Sequence, residues 1–225
     1  MKDLIYDWNT KARFKSVELC DETLRDGLQS PSVREPTVVE KCQMLELMSE
    51  LGITIADIGL PGAGKRAAEN TAALAKYIAD QKLDLKISCA ARTLRIDIEP
   101  VAQIQQQVGL PIEAYCFLGT SPIRQAVEDW DLDKLLSTTE EALAFALAQN
   151  LEVAFVTEDT TRSHPDVLST LFSRVVEMGV KRLVLCDTVG HSNPGGVRAL
   201  VEWTRKLVGK QIALDWHGHH DRGLG

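Results

Sequence analysis

The sequence predicts an α/β protein, a (β/α)8 TIM barrel with seven βα units visible and the eighth missing from this chain. Two observations carry that expectation. From residue 16 onward, short apolar runs rich in branched residues alternate with segments of helical period. A polar, chemistry-capable side chain also follows every run: residues 21–26, Asp57, Arg92, Ser121, Glu158 with Asp159, Asp187 with Thr188, and His217 with His219. A barrel needs that pattern, because all its strands aim their carboxyl ends at one mouth. The competing doubly wound open sheet gathers ligands only at its switch point.

Taken in order, the first apolar run is 17–20. A helix is expected over 37–51, with Val38, Val39, Cys42, Leu45, Met48 and Leu51 on one face and Gly52 as its stop. The second, third and fourth runs are 53–58, 85–90 and 112–118. Ser137 and Glu140 read as a capping box ahead of a helix over 142–148. The fifth run is 151–157. Ser163-His164-Pro165 then opens a helix with proline in its first turn, ended by Gly179. After the sixth run, 182–186, Asn193-Pro194 opens another helix with Gly209 as its stop. The seventh run is 212–216. Six of the seven runs are followed by a helical segment.

The 225 residues, 44% hydrophobic and 25% charged with a formal net charge of -7, suffice for one large domain with a sizeable core. The acidic balance, without a basic stripe, argues against nucleic-acid and membrane-surface binding. No apolar run approaches the roughly 18 residues of a membrane span, and Met1-Lys2-Asp3-Leu4 lacks the apolar core of a signal peptide. Cys20, Cys42, Cys89, Cys116 and Cys186 show no C-x-x-C spacing and read as free thiols in a reducing cytoplasm. A single domain over residues 1–225 is expected, truncated at its C-terminus, with no second domain.

Gly59-Leu60-Pro61-Gly62-Ala63-Gly64-Lys65 imitates a phosphate-binding loop. The next residue is Arg66, where that motif needs a hydroxyl to hold Mg²⁺, so a nucleotide site is rejected.

The C-terminal Trp216-His217-Gly218-His219-His220 continues a strand-like run. Alternate side chains share a face, so His217 and His219 project toward one point and can bind one divalent metal. The densest polar cluster, residues 21–31, brings Asp26 as an oxygen ligand. It also brings Arg25 as a planar cation for a carboxylate or a developing oxyanion. Two imidazoles and one carboxylate leave positions open on Mg²⁺, Mn²⁺ or Zn²⁺ for a bidentate oxygen substrate.

Four stretches, Leu24-Arg25-Asp26-Gly27-x-Gln29, Thr157-Glu158-Asp159-x-Thr161-Arg162, Asp187-Thr188-Val189-Gly190 and His217-x-His219-x-Asp221-x-Gly223, together resemble the DRE-TIM metallolyase superfamily. Within it, the nearest resemblance is to the isopropylmalate, citramalate and homocitrate synthase branch, over residues 17–225. That resemblance implies a divalent metal on Asp26, His217 and His219, and condensation of acetyl-CoA, as co-substrate, with a 2-oxo acid. By the same resemblance Arg25 and Glu158 are catalytic, and Gln29, Arg92 and Thr188 bind substrate. The expected partners are the two small molecules and a second copy of the chain, with no nucleic acid and no membrane. The alternatives are a metal-dependent acyl-CoA lyase or aldolase of the same superfamily, since Asp26-Gly27-Leu28-Gln29 also occurs in that branch, or an inactive truncated barrel. Three positions depart from the synthase pattern: His220 replaces asparagine, Arg124 replaces histidine, and Leu60 replaces phenylalanine. The strand-eight asparagine ligand of the family lies beyond Gly225.

Overall fold

The structure is a computed structural model and describes residues 17–223. Its strands are β1 (Cys20–Asp21), β2 (Ile55–Asp57), β3 (Lys86–Arg92), β4 (Ile112–Gly119), β5 (Glu152–Glu158), β6 (Arg182–Asp187) and β7 (Ala213–Gly218). The helices are α1 (Val38–Glu50), α2 (Lys65–Gln81), α3 (Arg95–Val108), α4 (Pro122–Glu128), α5 (Leu132–Ala148), α6 (Pro165–Glu177) and α7 (Pro194–Val208). All seven strands pair in parallel in chain order, each crossover made by helix.

The sheet is strongly curved. Six spacings of about 4.8 Å would separate the outer strands of a flat sheet by roughly 29 Å. Instead Nδ1 of His217 on β7 lies 3.0 Å from Oε1 of Glu22, just past β1. The seven strands and the helices between them are thus laid out as in a (β/α)8 barrel, and the open-sheet alternative is excluded.

Burial follows the same geometry. Between sheet and helices lies a large apolar layer that includes Leu45, Leu74, Ile98, Leu143, Phe155 and Phe172. Inside the barrel, the alternate side chains Tyr115, Ala154, Val184 and Cys186 form a second, smaller cluster. The register sets Tyr115 opposite Ala154, Gly119 opposite Glu158, and Cys186 opposite His217, so the strand ends carrying polar groups come out level. At the opposite end Arg182 ties three strands together, donating to Glu113 at 3.0 Å and Asp215 at 2.8 Å.

Three local expectations need correction. On the first helix Val39 and Leu51 are exposed, and Cys42, Leu45 and Met48 make the buried face. The first strand is Cys20–Asp21 rather than 17–20; it pairs with β2 alone, and Val17 and Leu19 are exposed. The Ser137–Glu140 capping box does not form. α5 starts earlier, where Asp131 accepts from the N–H of Lys134 at 2.8 Å, and leaves Ser137 inside the helix bonded to the carbonyl of Lys134. A capping box does close α1, between Thr37 and Glu40. The Asn193 cap, the Pro165 start and the Gly209 stop stand as expected.

The imitation phosphate loop forms a short 3-10 turn, Pro61–Ala63, leading into α2, whose first residue Lys65 is exposed. All five cysteines are free, four of them buried. Among the described residues no helix is long and apolar enough to cross a membrane.

Candidate active site

The turn after β1 is held by local hydrogen bonds. Asp21 accepts from the N–H of Thr23 at 2.8 Å, and the carbonyl of Glu22 accepts from the N–H groups of Arg25 and Gly27 at 3.1 Å each. This turn carries Glu22, Arg25 and Asp26 to the barrel mouth, where they line a cleft of about 200 Å³.

β7 delivers the other half. Nε2 of His219 lies 3.6 Å from Oδ2 of Asp26, and Nε2 of His217 lies 4.0 Å from the same oxygen. The three groups offer ligand atoms all within 4.8 Å of one another. Ligands about 2.1 Å from one ion stand at most about 4.2 Å apart, so small side-chain rotations suffice to bring these three together. Burial pushes the His217 imidazole below its ordinary pKa, and the Arg25 charge acts the same way. Both effects favour the neutral imidazole, the form that ligates metal.

Arg25 is clamped by three carboxylates. Nε donates to Asp57 at 3.3 Å, Nη1 to Asp26 at 3.0 Å, and Nη2 pairs with Glu22. Asp57 is 0% exposed, and burial pushes its carboxyl up to about 6 against the opposing pull of Arg25.

Glu158 ends β5 with its side chain 32% exposed to the cleft, 3.6 Å from Nε of Arg124. Arg124 fits there because Gly119 has no Cβ; a Cβ would stand 2.9 Å from that Nε. Thr188 lines the cleft too, its Oγ1 accepting from the N–H of Asp159 at 2.8 Å, which leaves its own hydroxyl proton free to donate. Gln29 is on the cleft wall. Cys186 also faces it, but burial pushes its thiol up to about 12, so it supplies no thiolate.

Arg92 is the proposed site residue that the cleft does not include. Its guanidinium turns to buried Asp97 with two bonds, at 2.7 and 2.8 Å, and lines a neighbouring cavity of about 260 Å³ together with Arg124. Two acids from the resembling motifs are structural. Asp159 is buried and doubly bonded to Arg162. Asp187 accepts from Thr161 and from the N–H groups of His191 and Ser192, and its carbonyl takes the N–H of His219 at 3.2 Å. It therefore fixes the loop that bears a proposed ligand. Glu22 and Asp57 were given no role by the sequence. The alternation Cys20, Glu22 along β1 and its extension was the available signal for Glu22.

A sequence model of the family described as HMGL-like matches residues 16–225. The chain belongs to the HMGL-like family. This HMGL-like chain is 31% identical over 215 residues to the 2-isopropylmalate synthase of Heliobacterium modesticaldum, covering 93% of the chain and 40% of that enzyme. It is 28% identical over 219 residues to a homocitrate synthase of Methanocaldococcus jannaschii, covering 96% of the chain and 51% of that enzyme. The chain thus spans about half or less of the length of these relatives. Their names agree with the synthase branch that the four motifs resemble. Hydroxymethylglutaryl-CoA lyase of Pseudomonas aeruginosa superposes with a TM-score of 0.72 at 20% identity, over 92% of this chain and 69% of that one. That likeness establishes the barrel architecture of this HMGL-like chain.

Proposed function

We propose that the chain is the catalytic barrel of an acyltransferase that condenses acetyl-CoA with a 2-oxo acid and releases the CoA thiol. The observation that carries this reading is the convergence of Asp26, His217 and His219 beside Arg25 and Glu158 in one cleft. The synthase relatives support it.

Asp26, His217 and His219 would hold a divalent ion, which when bound acts as a Lewis acid toward the oxygens of a 2-oxo acid. Glu158 takes a proton from the acetyl methyl group, and the carbon so activated forms a bond to the keto carbon. The keto oxygen gains the negative charge, which Arg25 stabilises. Three carboxylates already fix that guanidinium, so little reorganisation accompanies the step. The Thr188 hydroxyl donates to the substrate carboxylate, and Gln29 borders the same space. Arg92 joins substrate binding only by leaving Asp97. Hydrolysis of the thioester then frees CoA.

Asp26-Gly27-Leu28-Gln29 also occurs in the lyase branch and does not discriminate, whereas Thr157-Glu158-Asp159-x-Thr161-Arg162 favours the synthase. Thiol release from acetyl-CoA, measured across a panel of 2-oxo acids with and without Mn²⁺, separates the two. The synthase reading expects Mn²⁺-dependent release with at least one acid. Silence across the panel, with metal-dependent cleavage of a 3-hydroxyacyl-CoA or a 4-hydroxy-2-oxo acid, replaces it with the lyase.

A further inference from the structure

Glu22 reaches two partners of different kinds. Its Oε1 lies 3.0 Å from Nδ1 of His217, and its Oε2 pairs with Nη2 of Arg25. The Glu22 and His217 side chains are each largely buried, and the Glu22 backbone carbonyl is fixed by two N–H donors of its own turn. The carboxylate therefore has little freedom to leave the imidazole.

We infer that Glu22 is a positioning residue that sets the tautomer and ring orientation of His217, so that Nε2 faces the metal site. This rests on the proposed metal site and extends it. A neutral imidazole carries one N–H, and an acceptor at 3.0 Å from Nδ1 holds that proton there. The lone pair is then on Nε2, the atom turned toward Asp26. Without such a partner the proton is free to occupy Nε2 and block ligation. Carboxylates that bond the second nitrogen of a metal-bound histidine raise its basicity and fix its direction, and their removal weakens metal binding roughly 10- to 100-fold. The same carboxylate holds Arg25, so one side chain aligns the metal ligand and the proposed oxyanion partner.

Two measurements on the chain test this. In the metal-free protein, ¹⁵N chemical shifts of His217 report which ring nitrogen is protonated. The expected result is protonated Nδ1 and bare Nε2 in the wild type. In Glu22→Ala the population moves toward Nε2–H, whereas Glu22→Gln, which keeps an acceptor oxygen, retains the wild-type form. Calorimetric titration with Mn²⁺ should show a 10- to 100-fold weaker dissociation constant for Glu22→Ala, partial rescue in Glu22→Gln, and no binding in Asp26→Asn. If Glu22→Ala leaves tautomer and affinity unchanged while Asp26→Asn abolishes binding, the role of Glu22 is refuted and the metal site stands. A wild-type chain that binds no Mn²⁺ overturns both.

Discussion

Nε2 of His219, at the end of the described chain, lies 3.6 Å from Oδ2 of Asp26, in the loop after the first strand. The contact exists only because seven parallel strands curve far enough to bring β7 around to β1. Fold and candidate chemistry are therefore one fact: the barrel positions the ligands, and neither end of the chain forms the site alone.

Arg25→Lys tests the clamp. A guanidinium meets Asp57, Asp26 and Glu22 in three directions, and an ammonium cannot reproduce that fork. Thiol release should fall by about 10²–10³-fold in kcat, the range for losing an oxyanion donor. A kcat within about threefold of wild type removes Arg25 from the mechanism.

Glu158→Gln tests proton transfer. Glu158 lines the cleft but stands outside the trio of metal-ligand groups. Turnover should fall by about 10²–10⁴-fold while Mn²⁺ affinity is unchanged. Equal loss of metal binding would make Glu158 a ligand instead.

Asp57 predicts a pH dependence. A carboxyl raised in the folded state from 3.8 to about 6 favours folding below pH 3.8 and loses that advantage as the pH climbs through 6. Denaturant unfolding of wild type and Asp57→Asn at pH 4 and pH 7 should show the wild type gaining up to about 3 kcal/mol relative to the variant at the lower pH. A difference that does not change with pH would mean that Asp57 stays ionised.

Gly62→Ala should destabilise the chain by about 1–3 kcal/mol in urea unfolding. The added Cβ would stand 2.8 Å from Cα of Asp97, and Asp97 is held by Arg92, so it cannot yield. Unchanged stability would show that this loop moves freely.

Much of this was legible in the sequence, for local reasons. Strand and helix segments follow from period, Asn193 and Pro165 mark helix starts, and the alternation of His217 and His219 gives a shared face. What escaped depends on contacts between distant elements or on competing local signals. Glu22 was visible as part of an acidic turn, but its partner His217 is 195 residues away. Arg92 was placed at the mouth by its position after the third apolar run, and a buried acid five residues on claims it. Ser137 and Glu140 match a cap, but the helix already begins at the Asp131 cap and runs through both. β1 is only two residues long and pairs with β2 alone, which no local pattern in residues 17–20 reveals.

Titration of the chain with Mn²⁺ by calorimetry, beside Asp26→Asn and His219→Ala, asks whether Asp26, His217 and His219 hold a divalent ion. One ion per chain is expected in the wild type and none detectable in either variant. Binding that survives both substitutions, or a wild type that takes up no Mn²⁺, Mg²⁺ or Zn²⁺, would contradict it.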